Sequence, residues 1–177
     1  MRTSPIRKVS LLALLLAPLL ATVACTHYYT PQQYPIAATL IAPFANQPAV
    51  TLRNVAPTGP VIVGAQSGHK WIGDYHAWTD VAITLAADEL GKRAVTTVAE
   101  GKKTLKLSIT RANLFWGFGA IRCILNLHVE SGDGWTRDFE GNNVSPWTLE
   151  RSIDGAVTRA VQAMLEDNGV RVYLEAP

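Results

Sequence analysis

Two cysteines, four histidines and a scatter of hydroxyls and carboxylates are the groups in this chain able to do chemistry. Their spacing decides which could act together. Cys25 is the one placed for a covalent step. It follows Ala21, Thr22, Val23 and Ala24, and these follow Arg2, Arg7, Lys8 and the apolar run Val9 to Leu20. Basic head, short apolar core, small residues and then cysteine is the order of a secretory signal that ends in a lipidation site. Cys123 lies instead inside the apolar run Ile121 to Val129, where a thiol is shielded and serves as packing. His69, His76 and His128 share no metal-ligand spacing, so no metal site is expected, and His76 and His128 read as solvated. Ser67 beside His69 does not make a nucleophile and base from that spacing alone, and no Gly-x-Ser-x-Gly elbow occurs. Asp88 and Glu89 are adjacent, splay apart on a helix and read as solvated surface. The segment Gly64 to Gly73 sits where a phosphate loop could. Only three residues separate Gly64 from Gly68, however, and His69 stands where such a loop needs lysine. No catalytic residue and no cofactor is expected.

Length separates an anchor from a membrane span. An apolar run of about a dozen residues falls short of the roughly 20 that a helix needs to cross about 30 Å of hydrocarbon. Pro18 near its end also suits a cleaved segment. Thr22-Val23-Ala24-Cys25 resembles the lipobox of bacterial lipoproteins, whose cysteine takes a diacylglyceryl group and becomes the new N-terminus. Thr22 departs from that pattern, which usually has Leu there. The rival is ordinary signal-peptidase cleavage at a small-x-small site, which would leave Cys25 a free thiol. Several acyl chains, at about 0.8 kcal/mol per buried methylene, would hold the protein on a membrane. By resemblance to sorted lipoproteins, Thr26 in place of Asp implies the periplasmic face of the outer membrane of a Gram-negative bacterium.

Cleavage after residue 24 would leave 153 of the 177 residues, one ordinary domain. Of the 16 Lys and Arg, three leave with the leader, so 13 remain against 14 Asp and Glu. That near balance gives no basic excess for nucleic acid. Residues 25–48 then read as the lipidated cysteine and an extended tether, because Pro31 and Pro35 punctuate a polar stretch without periodicity. Residues 49–177 form the domain.

Within it, Val50 to Val55 alternates as a half-buried strand and Val61 to Val63 adds a short apolar burst. Trp78, Val81, Ala82, Leu85, Ala86 and Leu90 recur at helical spacing, with Gly91 as the expected left-handed stop. Ala94 to Ala99 reads as a short strand. Leu105, Leu107 and Ile109 alternate until the phase breaks at Arg111, which predicts a bulge or the strand's end. Ile121 to Val129 is the clearest strand, and Ser131-Gly132-Asp133-Gly134 turns it into the next. Ser145-Pro146 reads as the start of a second helix, whose apolar stripe runs from Leu149 to Leu165, and Val170 to Leu174 as a final strand. The fold class is α+β: an antiparallel sheet of about five strands in β-α-β-β-β-β-α order, covered on one face by two amphipathic helices as a two-layer sandwich.

That order of elements, together with the cysteine motif, resembles the YajG-like family of bacterial envelope lipoproteins from Val50 to about Asn168. The carriers are the helix Ala77 to Leu90 with Gly91, the strand Thr104 to Ala112, the strands around Ser131 to Gly134, and the last helix with Ala156-Val157 and Met164-Leu165-Glu166-Asp167. The resemblance implies fold and location and brings no activity. The lead for a binding surface is the turn Asn113 to Gly119, where Phe115, Trp116 and Phe118 stand among glycines; the rival reading is that the ring of Phe115 or Trp116 folds under a helix end to complete the core. The functional expectation is a non-catalytic binding or adaptor module, on the membrane through its N-terminal lipid and touching another envelope protein or a cell-wall component. The alternative is a carrier of a small lipidic or apolar ligand in a gap between sheet and helices.

Overall fold

The computed structural model describes residues 25–177, and the leader expected over residues 1–24 lies outside the described residues. The protein is α+β, with two sheets and three helices among the described residues. The strands are β1 (Cys25–Tyr28), β2 (Ala49–Asn54), β3 (Pro60–Gln66), β4 (His69–Asp74), β5 (Thr96–Thr97), β6 (Lys103–Gly117), β7 (Ala120–Ser131) and β8 (Thr136–Ser145). The helices are α1 (Tyr75–Gly91), α2 (Leu149–Glu166) and α3 (Asn168–Glu175).

The larger sheet has the order β5-β2-β6-β7-β8. β6, β7 and β8 form the expected antiparallel meander, with the predicted bulge between Ile109 and Arg111. β2, however, runs parallel to both β5 and β6, so the sheet is mixed. α1 is the crossover that permits this, because parallel neighbours need a connection of a dozen residues or more. A second sheet, β1-β4-β3, was not foreseen. Gly64 to Gly73, weighed above as a phosphate loop, is largely the β3–β4 hairpin.

Leu105, Leu107, Leu125 and Leu127 line one sheet face and are fully buried against Trp78, Leu85 and Leu90 of α1 and Ile153, Val157, Val161 and Met164 of α2. The helix layer comes very close to the sheet at one point. A β-carbon at Gly141 of β8 would stand 1.9 Å from the Ala156 carbonyl oxygen of α2, so only glycine fits.

Several boundaries differ from expectation for local reasons. Asp74 caps α1, accepting from the His76 amide at 2.9 Å. Gly91 remains helical, and the left-handed residue is Ala94 (φ 59°). Ser145 ends β8 and its hydroxyl accepts from the Trp147 and Thr148 amides. The cap of α2 is Thr148, which accepts from Arg151 at 3.2 Å. Val170 to Leu174 is helical: Val170, Tyr173 and Leu174 share the buried face and Val172 is exposed, a pattern that period two cannot produce.

The stretch expected to be a free tether is packed on the domain. Ile36, Ile41 and Phe44 are buried in the core, and Arg93 donates to the Ile41 carbonyl at 2.9 Å. The apolar residues of 25–48 lack periodicity because they are spent one at a time against different elements.

Candidate functional site

Cys25 is exposed and heads β1, whose four residues pair in parallel with His69 to Ile72 of β4. Adjacent partners in a sheet share a face, so Cys25, His27, His69 and Trp71 all project to one side. The rings confirm it. His27 Nε2 and His69 Nδ1 are 2.9 Å apart and hydrogen-bonded, and the two rings stack with centroids 5.2 Å apart. His27 also stacks on Trp71 at 5.4 Å, and Trp71 meets Trp116 at 4.8 Å. Gly64 of β3 makes this contact possible, since a β-carbon there would lie 2.6 Å from the Trp116 ring. A continuous row of rings thus leads from beside Cys25 to the end of β6.

The three aromatics proposed as a surface take three directions. Trp116 is partly buried beneath β3 and Trp71, as the inward-facing residue two beyond Leu114. Phe115 points to the outer face of the sheet and is 50% exposed. Phe118 stands fully exposed at the tip of the β6–β7 hairpin. Gly117 pairs with Ala120, so the tip is only Phe118-Gly119, with Gly119 at φ +70°. The expected seven-residue turn is therefore mostly strand. Phe115 and Val144 flank Arg122 in register, and with Ile124, Gly117 and Ala120 they line a shallow groove of ≈ 370 Å³.

Strand levels place these features at one end of the molecule. The hydroxyl of Tyr75, just after β4, accepts from the Ala112 amide at 2.8 Å, while Trp71, four positions earlier, meets Trp116, four positions later. Continuing in that direction carries His69, and Cys25 beside it, past Trp116 toward the β6–β7 turn. Ser145 at the end of β8 pairs with Ile121, so Trp147, 78% exposed, projects at the same end. Trp147 also lines a second groove of ≈ 810 Å³ between residues 34–40 and α2, with Asn143, Arg151, Arg159 and Gln162 as its polar groups. Between the larger sheet and the helices lie the side chains of the core.

The remaining candidates fall elsewhere. Cys123 is buried, and burial pushes its thiol up to about 12. His76 Nδ1 bonds the Ala56 carbonyl at 2.9 Å, and His128 bonds Asp138 at 2.8 Å on the outer sheet face. Glu89 corrects its surface reading. It is fully buried and pairs with Lys92 at 2.5 Å and Arg93 at 2.8 Å. Among the described residues no group of three His, Cys, Asp or Glu is gathered closely enough to hold a metal ion.

Three functional candidates were missed from sequence. The His27–His69 pair joins residues 42 positions apart; the shared two-residue spacing of Cys25-His27 and His69-Trp71 was its only signal. Trp147 hid behind the apparent helix start at Ser145-Pro146. Asp154, buried on α2, accepts from the Tyr29 hydroxyl at 2.7 Å and the Gln32 amide at 2.8 Å. Nothing in the spacing of the α2 stripe marks it.

No family model matches the chain, and no curated protein matches it. Among solved structures it is similar to that of XCC0632 from Xanthomonas campestris, a DUF330 protein, with a TM-score of 0.48 and 14% identity over 85% of this chain and 95% of that one.

Proposed function

We propose that the chain is a lipid-anchored, non-catalytic binding module of the bacterial cell envelope, of the YajG-like kind. A diacylglyceryl thioether at Cys25 would hold it at the periplasmic face of the outer membrane. The observation that carries the reading is the setting of Cys25: it follows the leader-like residues 1–24 directly, and it is exposed at the free end of β1 where a modifying enzyme could reach its sulfur. The packing of residues 29–48 on the domain brings that sulfur to the fold itself.

The module would meet another envelope protein or a cell-wall component through the ≈ 810 Å³ groove beside α2. Arg151 and Arg159 there offer forked donors suited to carboxylates. Intact-mass measurement of protein purified from envelopes tests the anchor: the expected mass is that of the chain from Cys25 with its acyl groups. An unmodified thiol, or a leader still attached, would overturn it. Photocrosslinking from Arg159 in intact envelopes tests the partner surface, and an empty crosslinking pattern would remove that groove from consideration.

A further inference from the structure

The end of the molecule that carries Cys25 also carries its most exposed aromatic rings. Phe118 at the hairpin tip, Trp147 after β8 and the half-exposed Phe115 and Val144 all lie there, on two separate chain segments. Two cations stand among them: Arg122, between Phe115 and Val144 in register, and Lys70, exposed beside Thr26 on β4. Apolar rings at the tip with basic groups just behind them match the layering of a bilayer surface, where rings enter the headgroup boundary and cations meet anionic phosphates.

We infer that this end is a bilayer-docking face, laid onto the anionic headgroups of the membrane with Phe118 and Trp147 inserted. The inference rests on the proposed anchor at Cys25. It adds that the anchor fixes orientation as well as location. The path of the chain chooses a lipid surface over a protein partner. Any acyl chains on Cys25 join the fold at the start of β1, which the β1–β4 pairing and the Trp71–Trp116 contact direct toward the β6–β7 turn. Docked residues 29–48 leave no slack that would let the rings turn away from the lipid.

The test uses the full chain purified from envelopes, with Phe118→Cys or, at the far end of β8, Thr136→Cys labelled by an environment-sensitive fluorophore. Cys123 is buried, so with Cys25 acylated the introduced thiol is the reactive one. Each protein is reconstituted into vesicles of phosphatidylethanolamine with a minor fraction of phosphatidylglycerol and a spin-labelled lipid. The expected result is blue-shifted emission at position 118, quenched by the spin label several-fold more than at position 136. Equal, water-like emission at both positions would overturn the docking face. So would a blue shift at 118 that lipid fails to quench and that grows with protein density, because a second copy or another protein would then be the occupant. The intact mass of the same preparation keeps the two ideas apart. A free thiol at Cys25 sinks the anchor, while an acylated Cys25 with an unquenched probe sinks only the docking.

Discussion

The Tyr29 hydroxyl donates to Asp154 at 2.7 Å and so fastens the N-terminal segment to α2 across 125 positions of sequence. The Gln32 amide donates to the same carboxylate oxygen at 2.8 Å. Burial raises the Asp154 pKa, and these two bonds pull it only part of the way back. Tyr29 is raised as well, first by burial and then by its bond to Asp154.

Asp154→Ala should therefore leave two donors without a partner and loosen residues 29–48. The expected loss is about 2 kcal/mol, read by denaturant titration, with faster amide exchange at Gln32. Asp154→Asn keeps an acceptor and should lose less. The pH sign follows from the direction of the shift. A folded-state pKa above the unfolded one makes the carboxyl's contribution complete below the unfolded value, and it fades as pH rises through the folded value. The Asn variant should lack that slope, and identical slopes in the two proteins would refute the assignment.

Glu89 predicts the opposite trend. Burial alone would raise its pKa, but the hydrogen bonds from Lys92 and Arg93 outweigh burial and lower it. Its contribution is present above the ordinary glutamate range and is lost as pH falls through the depressed folded value. Glu89→Gln should cost about 3 kcal/mol near neutrality by breaking a buried pair. The gap between the wild-type and variant unfolding curves should narrow in acid, and a gap that widens there would be inconsistent with the pairing.

Gly141→Ala places a methyl where the Ala156 carbonyl already stands. Either α2 shifts off β8 or the strand bends, at a cost of about 2–3 kcal/mol by the measure of overpacked cores. Thermal denaturation should show the drop, while Gly134→Ala at the exposed far turn, where nothing crowds the added carbon, loses only what its positive φ demands.

Trp116 and Phe118, two residues apart, should behave differently. Trp116→Ala removes the ring that supports Trp71 and Gly64, so the β3–β4 hairpin should exchange amides faster and stability should fall by about 2–3 kcal/mol. Phe118→Ala removes a ring that touches little and should stay within about 0.5 kcal/mol of wild type. A partner or membrane assay lost in Phe118→Ala alone would then report on surface, whereas loss in Trp116→Ala would be confounded by the fold.

The meander β6–β7–β8 and both long helices were legible because their residues face one layer each, so burial repeats with the period of the backbone. Even the bulge after Ile109 announced itself as a slip of phase at Arg111. β1 and β4 were not legible, and β3 showed only as the burst Val61 to Val63, because their side chains answer to different neighbours, as Gly64 does to Trp116 and Gly73 to Trp78. Glu89 was misread because adjacency to Asp88 says nothing about what Arg93 does one helical turn later. The site was half legible. Cys25 and Phe118 stand out as residue types, but the His27, His69 and Trp71 rings beside Cys25 are gathered by the β1–β4 pairing, which no local pattern encodes.

That pairing also has a mechanical side. A tug on Cys25 along the strand axis loads the parallel β1–β4 rungs together, along with the Trp78 indole donating to the Tyr29 carbonyl at 2.8 Å and the Tyr29–Asp154 clasp. Tension arriving at Cys25 is met in shear by several bonds at once, so the fold resists unravelling from the start of β1.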